Sequence, residues 1–395
     1  MARIRAVRSS VLSIPLHTPF VTALRRTSTI DTLIVCLDLA DGTTGLGEAP
    51  QVWAVTGDSV ASATACVEQV LAPVLVGADS DDWDALAAGV ARACARNFGA
   101  KAAVETALLD AVARAAGMPL AHLFADVAGV PRPVSRGVGL GGEGLGDGAV
   151  GVGAGGVAGV GAAGVFEVAT DVTISAGSPE ALRSAAQARV GEGFTRLKLK
   201  VGTDAATDVA RVRAVREAAG PDIGVRLDAN QGWSREDAVA VIRALAEAGL
   251  GVEIVEQPVA GEDIEGLAWV RERVDLPIMA DETVYGATDL ERVIRLEAAD
   301  AVNVKLAKCG GPVAGLRLLA RAAEAGLGTM VGSMMESHVG VAAAASLVAA
   351  VGTSIVSDLD AAWWAAQSPY AGGPAYGPGV IRLGPGAGLG MSLVP

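Results

Sequence analysis

The chain has 395 residues, which is enough for one domain of roughly 250 residues and a second, smaller one. Its formal net charge of −13 argues against a nucleic-acid partner, because binding to a polyanion requires a basic surface. Four cysteines lie too far apart for a zinc site or a small disulfide framework, so we expect a reducing, cytoplasmic location.

The N-terminal third predicts a small antiparallel sheet followed by helices. The first residues superficially resemble a signal peptide, but Pro15 interrupts the apolar stretch, which favours a first strand instead. Residues 4–14 and 32–38 are rich in β-formers, and residues 59–123 have a helical pattern. We therefore predict an N-terminal α+β domain over residues 1–130.

Residues 134–164 consist largely of Gly, Ala and Val. The 19 residues between Asp147 and Glu167 are uncharged, but almost half are Gly and none is Leu or Ile, which argues against a membrane-spanning helix. Matches to G-x-G-x-x-G arise by chance in such a segment, and no Lys-Ser/Thr pair completes a phosphate loop. We predict a linker or insertion over residues 131–170 and no membrane partner.

Eight predicted strands then alternate with helices, and eight is the number of strands in a (β/α) barrel. They are predicted at residues 171–175, 195–200, 224–228, 252–256, 277–281, 301–305, 328–332 and 354–358. After Trp363 the chain is rich in Gly and Pro and has no helical periodicity. The sequence thus predicts a barrel over residues 171–365 and a C-terminal segment, 366–395, that returns to the first domain.

Charged residues recur at an almost constant interval through the barrel region. Successive members are 24 to 28 residues apart, and the last follows after 53, or about two more such steps; the set is Lys200, Asp228, Glu256, Asp281, Lys305 and Asp358. One strand plus one helix has this length, and every barrel strand delivers its C-terminal residue to the same face. We therefore expect these side chains to converge on a single site.

Three of these residues predict a metal site. Asp228, Glu256 and Asp281 each end a predicted strand, and three convergent carboxylates repel one another strongly unless a cation lies between them. An all-oxygen set without His or Cys favours a hard divalent ion that keeps open positions for water and substrate. We predict Mg²⁺.

Lysines flank the predicted metal site. Lys198 and Lys200 are alternate residues of one strand, so both ammonium groups are expected to enter the barrel mouth, where their mutual repulsion favours Lys200 as a base near neutral pH. Lys305 ends the sixth predicted strand, roughly opposite the second. A metal-bound carboxylate substrate between the two sides would lose a proton from one face and regain it on the other, which gives an epimer.

Five short motifs surround these charged residues. They are Lys198-Leu199-Lys200-Val201-Gly202, Asp228-Ala229-Asn230-Gln231-Gly232-Trp233, Glu256-Gln257-Pro258, Ala280-Asp281-Glu282 and Asn303-Val304-Lys305-Leu306-Ala307-Lys308-Cys309-Gly310-Gly311. In these motifs the chain resembles the enolase superfamily, and within it the dipeptide epimerases of the muconate-lactonizing subgroup. The resemblance implies a TIM-like (β/α)₇β barrel, an N-terminal capping domain whose loops close the site, a Mg²⁺ ion and paired lysine acid/base catalysts.

Three further features bear on the substrate that the resemblance implies. Asp358-Leu359-Asp360 resembles the Asp-x-Asp motif of dipeptide epimerases, in which the pair holds the α-ammonium group of the substrate. Residues 19–25 resemble the family's first substrate-facing loop, where Arg25, or the adjacent Arg26, is suited to grip an acidic side chain bidentately. Residues 47–50 and 56–58 resemble the family's second capping loop, and we also expect Thr56 to bind substrate. Dipeptides of the L-Ala-L-Glu type fit this set.

Other activities within the superfamily remain as alternatives. A mandelate-racemase-like enzyme requires a His/Asp dyad in place of Lys305, and we expect a structural role for His338. A cycloisomerase, an o-succinylbenzoate synthase or an N-acylamino-acid racemase would keep both lysines and the metal, but none of these needs an ammonium clamp. A non-catalytic Mg²⁺-binding protein is disfavoured because both lysines are present. We expect a homo-oligomer.

Overall fold

The computed structural model of the protein describes residues 2–133, 158–160 and 165–394. Most of the predicted linker at 131–170 lies outside the described residues. The fold is mixed α/β, with an N-terminal antiparallel sheet and a separate parallel sheet that curls into a barrel. None of the helices in the described ranges combines the length and apolar character needed to cross a bilayer.

Three antiparallel strands open the chain: β1 (Ile4–Val21), β2 (Arg26–Leu39) and β3 (Thr44–Pro50), in that spatial order. The predicted first strand is confirmed, and it continues through Pro15 because β1 lies at the edge of this sheet, where a missing N–H group costs little. The end of the long β1–β2 hairpin contacts the barrel, because Ala176 N donates to Val21 O and Val21 N donates to Ser175 Oγ.

Five helices follow the sheet. They are α1 (Val60–Cys66), α2 (Ala72–Leu75), α3 (Trp83–Arg92), α4 (Phe98–Ala115) and α5 (Leu120–Ala128), with one π-helical turn at Val67–Leu71 and a 3₁₀ turn at Ser80–Asp82. Helix α4 is central, since 15 of its 18 residues are buried. It lies so close to β3 that a Cβ atom at Gly45 or Gly47 would be 2.1 or 1.9 Å from a carbonyl oxygen of α4, so both positions require glycine.

Seven parallel strands form the barrel sheet, in the order of the chain. After β4 (Ala158–Val160) and β5 (Phe166–Ala169) these are β6 (Val172–Ile174), β7 (Arg196–Lys200), β8 (Gly224–Asp228), β9 (Val252–Glu256), β10 (Ile278–Ala280), β11 (Ala301–Val304) and β12 (Gly328–Val331). The helices between and after them are α6 (Pro179–Gly191), α7 (Ala205–Ala219), α8 (Arg235–Glu247), α9 (Ile264–Arg271), α10 (Ala287–Arg295), α11 (Leu306–Cys309), α12 (Pro312–Glu324) and α13 (His338–Val351). The alternation predicted from the sequence is confirmed.

The eighth predicted strand, 354–358, is reduced to two bridges that close the ring. Ser357 pairs with Thr170 before β6, and Asp358 pairs with Gly332 after β12. Backbone hydrogen bonds from Ile355 N to Thr329 O and from Asp171 N to Ser357 O also join this segment to its two neighbours, and the carbonyl oxygen of Val356 accepts a 2.6 Å hydrogen bond from the buried guanidinium of Arg226. The closed ring nevertheless brings Asp358 to the same end of the barrel as the other strand termini.

The C-terminal segment contains a 3₁₀ turn at Ala361–Trp364 and the strands β13 (Tyr370–Gly372), β14 (Ala375–Gly377), β15 (Val380–Leu383) and β16 (Met391–Leu393). Strand β15 pairs with β5, and β13 pairs with β16. The segment also contacts α4, because the carboxylate of Asp110 accepts a hydrogen bond from Leu389 N and Arg114 donates to Met391 O. The domain boundaries themselves stay a prediction.

Candidate active site

The recurring charged residues meet at the C-terminal end of the barrel sheet. Lys200, Asp228 and Glu256 are the last residues of β7, β8 and β9, and they lie side by side because the register pairs Lys200 with Asp228 and Asp228 with Glu256. Asp281 and Lys305 directly follow β10 and β11. All five side chains are buried, as expected for groups at the centre of a barrel mouth.

Asp228, Glu256 and Asp281 form a compact carboxylate triad. Each offers one oxygen, and these oxygens lie within 4.8 Å of one another. Hydrogen bonds orient two of the groups, because Asn230 N donates to Asp228 Oδ1 at 2.9 Å and Asn303 Nδ2 donates to Glu256 Oε1 at 2.9 Å. Oδ1 of Asp281 is buried and has no aligned hydrogen bond, although Lys308 Nζ lies 2.6 Å from it as an ion-pair partner. Three close, buried oxygens fit a hard divalent cation such as Mg²⁺.

Lysine ammonium groups surround the triad. Lys200 Nζ lies 2.6 Å from Asp228 Oδ2, and Lys305 Nζ lies 2.7 Å from Asp281 Oδ2. Both lysines line one pocket. For Lys305, burial opposes the charged form, but attraction to Asp281 and Glu256 outweighs burial and raises its pKa above the ordinary value. Two lysines from different strands therefore approach a common space.

Lys198 lies deeper than the sequence suggests. Its side chain is 1% exposed and its Nζ contacts Glu256 Oε2 at 2.6 Å, Asp358 Oδ2 at 2.7 Å and Asp228 Oδ2 at 3.1 Å. Burial opposes the charge, yet these carboxylates raise the pKa of Lys198 well above its usual range. It therefore balances negative charge beneath the pocket, and a direct catalytic role for Lys198 stays a prediction.

Asp358 and Asp360 line the same pocket as Lys200 and Lys305. Asp358 is held by Lys198, whereas Asp360 Oδ2 accepts hydrogen bonds from Thr173 N at 2.7 Å and Trp364 Nε1 at 3.0 Å. Burial and the neighbouring Asp358 raise the pKa of Asp360. Two buried carboxyl groups that line the same cavity form a suitable environment for a cation.

The β1–β2 hairpin brings Arg25 to the pocket wall together with Phe20 and Leu24. Burial lowers the pKa of Arg25, and within the described part of the chain its guanidinium has neither a hydrogen bond nor an ion pair. Arg26, by contrast, is exposed. Burying most of an arginine side chain without an anionic partner costs free energy. An anion bound beside Arg25 would offset that cost.

Thr56 is not among the residues that line the pocket. Its hydroxyl is used inside its own loop, where it donates to Val52 O at 3.4 Å and accepts from Asp58 N at 3.2 Å. The neighbouring Val55 lines the pocket instead. A substrate contact by Thr56 stays a prediction.

Several residues at the site had no role in the sequence analysis. Asn230 donates to Glu282 Oε1 at 3.3 Å, and both residues line the pocket. Burial, together with the charges of Asp281 and Asp228, raises the pKa of Glu282 to about 8. Glu282 directly follows Asp281 and Asn230 lies two residues after Asp228, which was a usable signal. Trp364 lies four residues after Asp360, so its contact with that carboxylate is also local in the sequence.

Family comparisons match most of the chain. The model "Mandelate racemase / muconate lactonizing enzyme, N-terminal domain" matches residues 4–125, and "Enolase C-terminal domain-like" matches residues 180–395. The L-Ala-D/L-Glu epimerase of Bacillus subtilis is 35% identical over 98% of this chain and 96% of its own length.

Solved structures agree with the sequence matches. A substrate-liganded complex of the B. subtilis L-Ala-D/L-Glu epimerase has a TM-score of 0.86 and covers 98% of both chains at 35% identity. A dipeptide epimerase from Enterococcus faecalis, complexed with Mg and L-Leu-L-Tyr, has a TM-score of 0.85 and 32% identity over 99% of each chain.

Proposed function

Because the chain belongs to the mandelate racemase/muconate lactonizing enzyme family of the enolase superfamily, we propose that it is a Mg²⁺-dependent dipeptide epimerase. It inverts the α-carbon of the C-terminal residue of a dipeptide, and an acidic dipeptide of the L-Ala-L-Glu type is the preferred substrate. Relatives with this activity, and the carboxylate triad at the end of the barrel, support the proposal.

The pocket lysines support a two-base mechanism. Lys200 and Lys305 bond different members of the triad, Asp228 and Asp281, and face one cavity. When bound at the triad, Mg²⁺ supplies positive charge that offsets the negative charge of the deprotonated substrate. One lysine, in its neutral form, takes the α-proton from one face, and the ammonium group of the other returns a proton to the opposite face. The two lysines exchange roles in the reverse direction.

Arg25 gives the preference for an acidic substrate by binding its side-chain carboxylate. Its guanidinium lines the pocket without a partner among the described residues, and burial disfavours its charged form. A carboxylate side chain of the substrate would satisfy several of its donors at once and compensate the lost hydration. Asp358 and Asp360, which line the same pocket, suit the α-ammonium group of a free dipeptide. A substrate with both groups would bind both Arg25 and the aspartate pair.

The test is proton exchange in D₂O. The purified protein is incubated with Mg²⁺ and, separately, with L-Ala-L-Glu, L-Ala-L-Leu and N-acetyl-L-Glu, and one-deuteron uptake is followed by mass spectrometry. We expect uptake to be fastest for L-Ala-L-Glu, with formation of L-Ala-D-Glu on a chiral column and loss of both signals in EDTA.

The other outcomes separate the alternatives. Faster labelling of L-Ala-L-Leu would keep the epimerase assignment and remove the acidic preference. Labelling of N-acetyl-L-Glu alone would favour an N-acylamino-acid racemase, which has no need of the Asp358 and Asp360 pair. No labelling of any compound would favour a cycloisomerase, an o-succinylbenzoate synthase or a non-catalytic protein.

We also propose a cytoplasmic location. All four cysteines are free thiols, as suits a reducing compartment. The homo-oligomeric state stays a prediction.

A further inference from the structure

A fourth lysine, Lys308, contacts the carboxylate triad and has no role in the mechanism above. It lies in α11, one helical turn after Lys305, and its side chain is 1% exposed. Its Nζ forms an ion pair with Asp281 Oδ1 at 2.6 Å and donates hydrogen bonds to the main-chain oxygens of Asp281 and Asn303. The ammonium group is thus fixed by the backbone as well as by the carboxylate.

The contacts of Lys308 mirror those on the other side of the triad. Asp228 is contacted by Lys200 at 2.6 Å and by the deeper Lys198 at 3.1 Å. Asp281 is contacted by Lys305 at 2.7 Å and by Lys308 at 2.6 Å. Each of these two carboxylates therefore binds one lysine that lines the pocket and one that is buried behind the pocket lining.

The two buried lysines, Lys198 and Lys308, differ in how many carboxylates they contact. Lys198 also contacts Glu256 and Asp358, so it affects the centre of the triad and the ammonium clamp together. Lys308 bonds Asp281 on one carboxylate oxygen, while Lys305 bonds the other. The influence of Lys308 is therefore concentrated on the Lys305 side of the site.

We propose that Lys308 is a positioning residue for the half-reaction that Lys305 carries out. By holding Asp281 at Oδ1 and at its main-chain oxygen, it presents Oδ2 to Lys305 at a fixed angle and compensates part of the carboxylate's charge. Without Lys308, Asp281 is free to turn, and Lys305 loses its alignment with the α-carbon. This inference rests on the proposed two-base epimerisation.

A face-specific measurement separates positioning from general damage. A lysine that removes an α-proton can return a solvent deuteron to the same face, so each epimer reports on the lysine that faces it. The variant Lys305→Ala first identifies which epimer, L-Ala-L-Glu or L-Ala-D-Glu, depends on Lys305 for exchange. Deuterium uptake into each epimer is then measured in Lys308→Met and Lys308→Gln at saturating Mg²⁺, with saturation established by calorimetric titration.

We expect the epimer that faces Lys305 to exchange roughly 10- to 100-fold more slowly in both Lys308 variants, since small misplacements of a reacting group have effects of this order. The other epimer should exchange at nearly the wild-type rate, and Mg²⁺ should still bind with one-to-one stoichiometry. The control Lys101→Met removes another buried lysine, whose ammonium bonds the carbonyls of Ala91 and Cys94, and should leave both rates unchanged.

Equal slowing of both epimers, or unchanged rates for both, would overturn the inference while leaving the proposed function intact. Loss of the native circular dichroism spectrum in both Lys308 variants, with Lys101→Met folded, would make Lys308 a structural residue and also overturn it. If the wild-type protein exchanges neither epimer, the proposed function fails and this inference fails with it.

Discussion

Arg25 and its neighbour Arg26 differ sharply in environment although they are adjacent in the chain. Arg25 lines the pocket, whereas Arg26 is exposed at the start of β2. Arg25 belongs to the turn between β1 and β2, beside the pocket, whereas Arg26 is the first residue of β2. Substituting each arginine in turn therefore compares the same charge at the pocket and at an exposed position.

We expect Arg25→Ala to lower kcat/KM for L-Ala-L-Glu by roughly a hundredfold, because removing one partner of a buried charge pair costs about 2–5 kcal/mol. The rate with L-Ala-L-Leu should change little, since that substrate offers no carboxylate side chain. Steady-state kinetics with both dipeptides measure the ratio, and Arg26→Ala serves as the matched control. A uniform loss for both substrates in Arg25→Ala would argue against recognition of the side chain by this residue.

Two glutamates of the N-terminal region cap helices of the barrel. Glu48 accepts hydrogen bonds from Ser337 N, Ser337 Oγ and Gly340 N at the start of α13. Glu105, in α4, accepts a 2.7 Å hydrogen bond from Val313 N in the first turn of α12. Both carboxyl groups are buried, so these two elements are joined to the N-terminal region by polar groups that water does not reach.

The Glu105 contact predicts a pH-dependent stability. Burial raises the pKa of Glu105 to about 7, above the value of 4.5 expected in the unfolded chain. Between these two values the folded state holds a proton that the unfolded state has released, so the free energy of unfolding falls as pH rises. The stabilisation is complete below the unfolded pKa and is lost as the pH rises through about 7.

We expect the wild-type protein to lose roughly 3 kcal/mol of stability relative to Glu105→Gln between pH 4 and pH 8. Chemical denaturation at several pH values measures the difference, and Glu236→Gln, at an exposed glutamate, is the control. Parallel stability curves for the wild type and Glu105→Gln would mean that Glu105 ionises as it does in water.

At the scale of the whole molecule, the carboxylate triad joins three consecutive strands of the barrel. Asp228, Glu256 and Asp281 are distant in the chain and come within reach of one cation only after the barrel has formed. A cation that binds them therefore binds the folded state selectively. Ligand binding of this kind stabilises a protein by mass action.

We expect Mg²⁺ at one hundred times its dissociation constant to stabilise the protein by about 2.7 kcal/mol, and EDTA to reverse the effect. Thermal melts over a Mg²⁺ series measure this shift. Asp281→Asn should abolish it, and Asp41→Asn, at an exposed turn, should leave it unchanged. An equal shift in Asp281→Asn would indicate that Mg²⁺ stabilises the fold at another place.

The sequence by itself determined the order of elements and the end of the barrel that holds the site. Both follow from local chemistry: strand and helix patterns alternate with a period of about 25 residues, and parallel strands carry their last residues to one face. The convergence of Lys200, Asp228, Glu256, Asp281 and Lys305 therefore followed from spacing alone. The N-terminal strand and helices also followed from periodicity.

Only the tertiary structure decided how these groups pair. Lys198 bonds Asp358 across 160 residues, and the guanidinium of Arg226 donates a hydrogen bond to Val356 O in the predicted eighth strand. Likewise, the isolation of Arg25 and the place of Lys308 behind Asp281 depend on which elements pack together. Such contacts join side chains that are distant in the chain, and their geometry is set by packing around the closed ring, which no local pattern encodes.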